Sequence, residues 1–307
     1  MASSCKGDGA YLVGRVHTDL LISVTDRCNL RCVYYMPDEG MTFLPRSQLL
    51  SYEEIGRVAA VARDLGVTSI RLTGGEPLVR KDLTSLVSRL TSIGLEDLAL
   101  TTNGMQLAKM AAGLAAAGLK RVNVSCDSLR ADRFESIRRR GDLATVLSAM
   151  DAAEAAGLLP LKVNVVLLRG RSDDEVLDFA AFARETGRIV RFIEFMPLDA
   201  QGQWDRSSLV PGQEVFERIS QVWPLEALGD HGEPAPAARL RLTADGAFLN
   251  CPFSDDERSA RDVLRGGAGA GEIARMLREA VWAKFPGHAT NQPGFLRPAR
   301  SMSMIGG

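Results

Sequence analysis

VTDRCNLRCVYYMP, residues 24–37, contains the feature from which the architecture of this chain is best predicted. It places Cys28 and Cys32 four residues apart on a loop that directly follows Leu20–Val24, a short apolar run typical of a buried strand. Two thiolates at this spacing can ligate one metal ion or cluster. Taken by itself, however, the pair favours two structural thiols.

Strand and helix patterns alternate through the first two thirds of the chain. The runs that predict strands are Leu20–Val24, Ser69–Thr73, Leu98–Thr102, Arg121–Ser125, Leu161–Val166 and Ile189–Phe195. Amphipathic or alanine-rich segments lie between them, and the clearest starts are Ser51 and Ser172, each with a glutamate three residues later. Repeated βα units predict an α/β fold with a parallel sheet. The periodicity leaves open whether that sheet is doubly wound or curled into a partial barrel.

In either architecture, ligands bind at the carboxyl ends of the strands. The loops at these ends carry the chemically unusual residues of the chain. They are the segment 25–40 after the first strand, 74–77 after the second, 103–104 after the third and Met196 after the sixth. The sequence therefore predicts one site that several strand ends build together.

The last third of the chain has a different organisation. Helices are expected at Gln213–Val222, Ser259–Leu264 and Glu272–Lys284, and Arg239–Cys251 predicts a hairpin that turns at Asp245 and Gly246. A proline- and alanine-rich connector, residues 233–238, precedes the hairpin. This part is expected to form a smaller α+β region.

Composition excludes several classes of protein. The 307 residues are 46% hydrophobic and 24% charged, and 37 basic against 38 acidic residues give a net charge of −1. This balance argues against a general nucleic-acid or membrane-surface binder. The absence of a long apolar run or a secretory leader predicts a cytoplasmic protein. Five cysteines in that compartment do not predict a disulfide framework.

Several motifs, in one order along nearly the whole chain, resemble the GTP 3′,8-cyclase family of radical S-adenosylmethionine (SAM) enzymes. Each motif is weak alone, but their joint order and spacing are highly specific. After the loop 24–37 they are RLTGGEPLVRKDL (71–83), LTTNG (100–104), RVNVSCDSL (121–129), KVNVV (162–166), VRFIEFMPL (190–198), RLRLTADG (239–246) and MSMIGG (302–307).

The resemblance implies a fold and a reaction. The expected fold is a partial (β/α)6 radical SAM barrel at residues 18–222, followed by a GTP-binding region at 223–307 that is shorter than in the family. Family members hold a [4Fe–4S] cluster with three cysteines, and the open iron binds SAM. An electron donor drives cleavage of SAM, and the resulting radical converts GTP to 3′,8-cyclo-7,8-dihydro-GTP in molybdenum cofactor biosynthesis. The family also suggests a homodimer.

Site residues follow from the same resemblance, position by position. Cluster ligands are expected at Cys28 and Cys32 and, for a second cluster, at Cys251. The SAM-binding positions are Tyr34, Gly74, Gly75, Glu76, Ser125 and Met196. The GTP-binding positions are Arg71, Thr101, Lys162, Arg239 and Arg241. Alternate residues of a strand face the same side, so Arg239 and Arg241 are expected to point together at one anion.

Three departures from the family pattern affect the same chemistry. Tyr35 occupies the place of the third cluster cysteine, and a phenolate suits iron–sulfur chemistry poorly. Leu21 replaces an arginine expected before the cluster loop. The cysteine pair of the second cluster falls on Pro234 and Ala237.

Three hypotheses remain open from the sequence. The first is a GTP 3′,8-cyclase homologue, and the second is a catalytically inactive relative that retains SAM, nucleotide or partner binding. The third is a radical SAM enzyme with a different substrate.

Overall fold

The computed structural model describes residues 11–12, 15–36, 41–199, 204–226, 239–253, 257–282 and 300–305. Its strands are β1 Tyr11–Leu12, β2 Arg15–Val16, β3 Asp19–Ser23, β4 Ser69–Thr73, β5 Asp97–Thr102, β6 Arg121–Ser125, β7 Lys162–Val166, β8 Ile189–Ile193, β9 Leu240–Leu242, β10 Ala247–Leu249 and β11 Arg258–Ser259. Its α-helices are α1 Tyr52–Asp64, α2 Leu83–Ser92, α3 Leu107–Ala116, α4 Ala131–Arg138, α5 Leu143–Ala155, α6 Val176–Thr186, α7 Gly212–Ser220, α8 Arg261–Arg265, α9 Ala270–Trp282 and α10 Met302–Ile305.

All six predicted strands of the βα alternation are present, as β3 to β8, and the predicted capping box at the start of α1 is confirmed. The Ser51 hydroxyl accepts a hydrogen bond from the Glu54 amide at 3.1 Å, and the Glu54 carboxylate accepts one from the Ser51 amide at 2.7 Å. These bonds satisfy two amides at the helix start that have no partner within the helix.

The corresponding prediction at Ser172 was wrong. A 3₁₀ turn covers Asp173–Glu175, α6 begins at Val176, and the Ser172 hydroxyl instead accepts from the Leu168 amide. The Glu175 carboxylate is fully buried, and it accepts from the Ser128 hydroxyl and the Leu129 amide. The Glu175 side chain therefore makes a tertiary contact instead of the helix cap that the local pattern predicted.

The strands form one sheet in the order β11-β10-β9-β3-β4-β5-β6-β7-β8. Neighbours from β3 to β8 are parallel, β9 is parallel to β3, and β10 and β11 are antiparallel to their neighbours. Strands lie about 4.8 Å apart, so β9 and β8 would be about 29 Å apart in a flat sheet. Yet Arg239, the residue before β9, and Arg191 in β8 line the same cavity. The sheet is therefore curled, and the α/β partial barrel is confirmed.

Alternating side chains divide the sheet into two faces. Ile22, Ile70, Leu100 and Val124 belong to the main hydrophobic cluster, together with the buried faces of the surrounding helices. The residues between them along the strands face a cavity on the inner side of the curl. Because helices cover the outer face, polar side chains are concentrated on the inner one.

The predicted C-terminal hairpin is present, and it extends the barrel sheet by pairing β9 with β3. The connector 233–238 lies outside the described residues, and the domain boundaries stay predictions. Within the described part of the chain, no helix combines the length and apolarity needed to cross a membrane. The expected cytoplasmic location and homodimer stay predictions.

Candidate functional site

A cavity of about 450 Å³ occupies the inner side of the curled sheet. Residues from all six parallel strands, from β9 and from the cysteine loop line it, and Met302 of α10 also contributes. Predicted site residues in its lining are Cys28, Cys32, Tyr34, Arg71, Gly74, Gly75, Glu76, Thr101, Ser125, Met196, Arg239 and Arg241. The structure thus brings the expected cofactor-side and substrate-side residues to one cavity, while their ligand roles stay predictions.

Two predicted site residues lie outside this lining. Lys162 is buried at the start of β7, and its pKa is lowered by burial and by the cavity residues Arg191 and Arg71. Cys251 is half-buried near Arg241. The expected partners of Cys251, positions 234 and 237, fall in a segment that the structure does not describe.

The cysteine loop is joined to the loop after β4 by backbone hydrogen bonds. The Gly75 amide donates to the Thr25 carbonyl at 2.7 Å, and the Glu76 amide donates to the Arg27 carbonyl at 2.8 Å. A Cβ at Gly75 would lie 2.4 Å from the Arg27 carbonyl oxygen, and one at Gly74 would lie 2.5 Å from that of Thr25. Glycine is therefore required here by the approach of the two loops, independently of any cofactor.

Cys28 faces the cavity and accepts weak hydrogen bonds. The Leu30 amide lies 3.4 Å from its Sγ, and the Asn103 side-chain amide lies 3.8 Å away. The same Asn103 amide donates to Asn29 at 2.7 Å, which fixes its orientation. Burial raises the pKa of the Cys28 thiol to about 12, so the free side chain is neutral at physiological pH.

Cys32 is held by a buried ionic network. The Arg138 Nη1 donates to the Cys32 Sγ at 3.4 Å, and the Arg138 Nη2 lies 2.8 Å from an Asp127 carboxylate oxygen. The Tyr34 hydroxyl donates to that oxygen at 2.6 Å, and the Val166 amide donates to the other at 3.0 Å. Burial raises the pKa of Cys32 despite this cation. The network fixes the loop against the ends of α4 and β7.

Glu76 is buried at the cavity, and both of its carboxylate oxygens accept hydrogen bonds from described residues. One accepts from the Leu78 amide at 3.0 Å and the Thr102 hydroxyl at 2.8 Å, and the other accepts from the Asn103 amide at 2.7 Å. Burial raises its pKa to about 7. These contacts tie the loop after β4 to the end of β5, whereas the SAM-binding role of Glu76 stays a prediction.

Tyr35, at the place of the third cluster cysteine, is committed to other contacts. Its hydroxyl donates to the Gly74 carbonyl at 2.8 Å and lies 3.5 Å from the Met302 carbonyl. Its ring packs on the buried cluster of Leu198, Leu249, Met302 and Ile305. Two thiols and a hydrogen-bonded phenol do not fit a [4Fe–4S] cluster that requires three thiolates.

The opposite wall of the cavity is strongly cationic. Burial and the neighbouring Arg239 lower the pKa of Arg71 to about 9 and those of Arg191 and Arg241 to about 10. Burial and the same surroundings lower the pKa of Lys162 to about 8. The folded state thus brings these cations together against their mutual repulsion. We call Arg71, Lys162, Arg191, Arg239 and Arg241 the cationic wall.

Two carboxylates lie close to this wall. Arg121 is paired with Asp97 at 2.6 Å, and Asp19 favours the charged forms of Arg71 and Arg239. The buried Nε of Arg71 has no hydrogen-bond partner among the described residues. A buried cationic surface with donors directed inward suits a polyanionic ligand, and arginine forms bidentate contacts with phosphate.

Leu21 lies inside this cationic surface. On β3 it pairs in register with Arg71 on one side and Arg241 on the other, and it lines the cavity. The residue that departs from the family pattern thus stands between two predicted GTP-binding arginines. Its apolar side chain separates their charges but offers no contact to an anion.

Leu21→Arg is expected to raise the affinity for GTP about tenfold, because a third guanidinium would join the two beside it. The same change should lower the free energy of unfolding without nucleotide, since it adds a charge to a repulsive cluster. Calorimetric titration and urea unfolding measure the two effects, with Leu21→Met as an uncharged control. Equal GTP affinity in both variants would place the triphosphate elsewhere.

Sequence reasoning did not identify four cavity residues: Asn164, Arg191, Asp127 and Arg138. Arg191 on β8 and Asn164 on β7 each occupy a strand position that faces the cavity, and the Arg191 Nε donates to the Asn164 Oδ1 at 3.2 Å. Strand alternation offered a signal for this pair. Arg138 begins a run of three arginines that resembles a solvated charge cluster, so its burial on Cys32 had no local signal.

Comparison with known proteins defines the class. A model of the Radical SAM superfamily matches residues 22–183. The crystal structure of Streptococcus suis SuiB bound to S-adenosylmethionine superposes with a TM-score of 0.58, and the match covers 84% of this chain and 68% of that chain. Its sequence identity is 16%, so the likeness concerns the fold. Fold, cysteine loop and superfamily match together define a radical SAM protein.

Relatives in sequence narrow this class to one family. The GTP 3′,8-cyclase of Moorella thermoacetica is 44% identical, with 94% of this chain and 97% of the relative covered. The GTP 3′,8-cyclase of Corynebacterium glutamicum is 40% identical, with 96% and 88% covered. The chain belongs to the GTP 3′,8-cyclase family, whose members act in molybdenum cofactor biosynthesis, and the resemblance found in the sequence is confirmed.

Proposed function

We propose that this chain binds GTP in the cavity as a GTP 3′,8-cyclase homologue of molybdenum cofactor biosynthesis, and that Tyr35 prevents the cyclisation itself. The observation that carries the proposal is the cationic wall, which gathers four buried cations and the half-buried Arg191 in and beside one cavity. The lowered pKa values of Arg71, Lys162 and Arg191 include repulsion from neighbouring cations, and a triphosphate would relieve that repulsion.

The contacts of the wall suggest which end of GTP lies where. Arg71 lies on β4, Arg241 lies on β9, and Arg239 is the residue before β9. The strands β4 and β9 flank β3 on its two sides. These arginines would bind the triphosphate, while the hydroxyl of Thr101 on β5 is available to the nucleoside. The cysteine loop closes the other side of the cavity, where Tyr34, Ser125 and Met196 support the expectation of a SAM-binding half.

Calorimetric titration of the purified chain with GTP tests this proposal. One GTP per chain is expected, and its affinity should fall steeply with added salt because the contacts are largely ionic. GMP should bind far more weakly, since it lacks two of the three phosphates. Equal affinity for GTP and GMP would contradict a triphosphate bound at the cationic wall.

Lys162 gives the binding a predicted pH dependence. Its pKa is lowered to about 8 by burial and the nearby arginines, and a bound triphosphate would return it toward the ordinary value for lysine. GTP binding should therefore take up most of a proton through Lys162 at pH 8.5 and little at pH 7, with a smaller uptake at pH 8.5 from Arg71, whose pKa is lowered to about 9. Affinity for GTP accordingly falls as the pH rises through 8.

Titration in two buffers of different ionisation enthalpy measures this uptake, and Lys162→Met is the matched variant. The variant should bind GTP with much less proton uptake at pH 8.5 than the parent chain. If it takes up as many protons as the parent chain, Lys162 is not the linked group.

A second candidate function is the complete family reaction, conversion of GTP to 3′,8-cyclo-7,8-dihydro-GTP with SAM and an electron donor. It is favoured by the position of Cys28 and Cys32, whose sulfur atoms share the cavity with the cationic wall. Anaerobic incubation with GTP, SAM and a chemical reductant distinguishes the two candidates. Formation of the cyclised nucleotide by the unaltered chain would favour the second.

A further inference from the structure

Tyr35 joins three segments that are far apart in the sequence. It lies in the cysteine loop, its hydroxyl donates to the Gly74 carbonyl after β4, and its ring contacts the cluster that contains Met302 and Ile305 of α10. The hydroxyl carries one proton, so the 2.8 Å bond to Gly74 is the principal one and the 3.5 Å approach to Met302 is secondary. The hydrogen bond orients the ring, and the ring supports the helix.

The segment that contains α10 is fixed at three further points. The Arg300 guanidinium binds the Asp245 carboxylate with two 3.0 Å hydrogen bonds, and the Met302 amide donates to the Leu198 carbonyl at 2.9 Å. Ile305 is 1% exposed in the same apolar cluster. Because Asp245 lies in the turn of the hairpin that carries Arg241, the segment 300–305 is anchored to the same hairpin as part of the cationic wall.

Met302 connects α10 to the cavity in which GTP is proposed to bind. It is largely buried and lines the cavity together with Tyr35, Arg239 and Arg241. A segment in this position covers part of the cavity, so a nucleotide held by the arginines would leave more readily when α10 moves away. The stability of the docked helix would therefore control the rate of release.

We propose that Tyr35 is a positioning residue, which docks α10 against the cavity and slows the release of bound nucleotide. The position that supplies a thiolate in the family thus supplies a support for the C-terminal helix in this chain. The effect on release rests on the proposed GTP binding, whereas the docking of α10 does not.

Hydrogen exchange of the segment 300–305 tests the docking in the full-length chain without nucleotide. Tyr35→Ala removes the ring and Tyr35→Phe removes only the hydroxyl, so exchange at Met302 and Ile305 should quicken in both and more in the alanine variant. Tyr52→Phe is the control, because the Tyr52 hydroxyl donates to the Lys81 carbonyl at 2.9 Å on an exposed surface. Unchanged exchange in Tyr35→Ala would overturn the proposal.

Stopped-flow release of a fluorescent GTP analogue tests the consequence. Tyr35→Phe should release it about 2- to 10-fold faster, as expected for one lost neutral hydrogen bond. Ile305→Ala should also speed release, and adding Tyr35→Phe to it should have little further effect, because both act through the same helix. Fully multiplicative rates in the double variant, or release at the parent rate from a chain with an exposed α10, would overturn the proposal. Failure of the parent chain to bind the analogue would count against GTP binding alone, and hydrogen exchange would still decide the role of Tyr35.

Discussion

Tyr35→Cys is expected to change the chain from one that holds almost no iron to one that holds about four irons after anaerobic reconstitution. The loop then presents three thiols on a scaffold where Asn103 and Arg138 already donate to the first two sulfurs. Iron and sulfide assays with visible absorption spectra measure the outcome. The variant should also cleave SAM under reducing conditions, which is followed as 5′-deoxyadenosine.

Tyr35→Ser is the matched control for this variant. It removes the ring and opens the same space, but it does not supply a thiolate, so its iron content should stay near that of the parent. GTP cyclisation is not expected from Tyr35→Cys, because Pro234 and Ala237 still stand where the family has the second cysteine pair. Cyclisation by that single variant would refute a requirement for the second cluster here.

Arg241→Met is expected to lower the affinity for GTP about 10- to 100-fold and, in the same protein, to raise the free energy of unfolding without nucleotide. The loss of affinity follows from removing a charge-assisted phosphate contact. The gain in stability follows because burial and Arg239 lower the pKa of Arg241 to about 10, a sign that its charge is unfavourable in the folded state. Methionine keeps the apolar stem of the side chain, so little packing is lost.

Calorimetric titration and urea unfolding measure these opposite effects. Arg265→Met is the control, since Arg265 pairs with Glu54 at 2.8 Å at the surface, and its GTP affinity should match that of the parent. A fall in stability together with unchanged affinity for GTP would show that Arg241 has a purely structural role.

The sequence was sufficient to predict most of the barrel, for a physical reason. Buried parallel strands are short, apolar and separated by helices, so each element leaves a local signal such as the capping box at Ser51. The glycine pair at 74–75 was also singled out from the sequence, but as SAM-binding positions. The two glycines allow the cysteine loop to approach within hydrogen-bonding distance, a requirement that appears only when both loops are in place.

The parts of the site that were not predicted depend on contacts between distant segments. Arg138 reaches Cys32 across 106 residues, and Tyr35 approaches Met302 across 267. Composition and spacing carry no record of such partners. Glu175 illustrates the same limit, because its local pattern indicated a helix cap while a contact with Ser128, 47 residues away, took the carboxylate.

The most direct test is a titration of the iron-free parent chain with GTP at low salt. The cationic wall is proposed to bind GTP, whereas the altered cysteine loop is proposed to hold no cluster. We predict one GTP bound per chain, with no need for iron, SAM or reductant. A chain that binds no GTP when iron-free, but binds it after reconstitution with about four irons, would contradict this account.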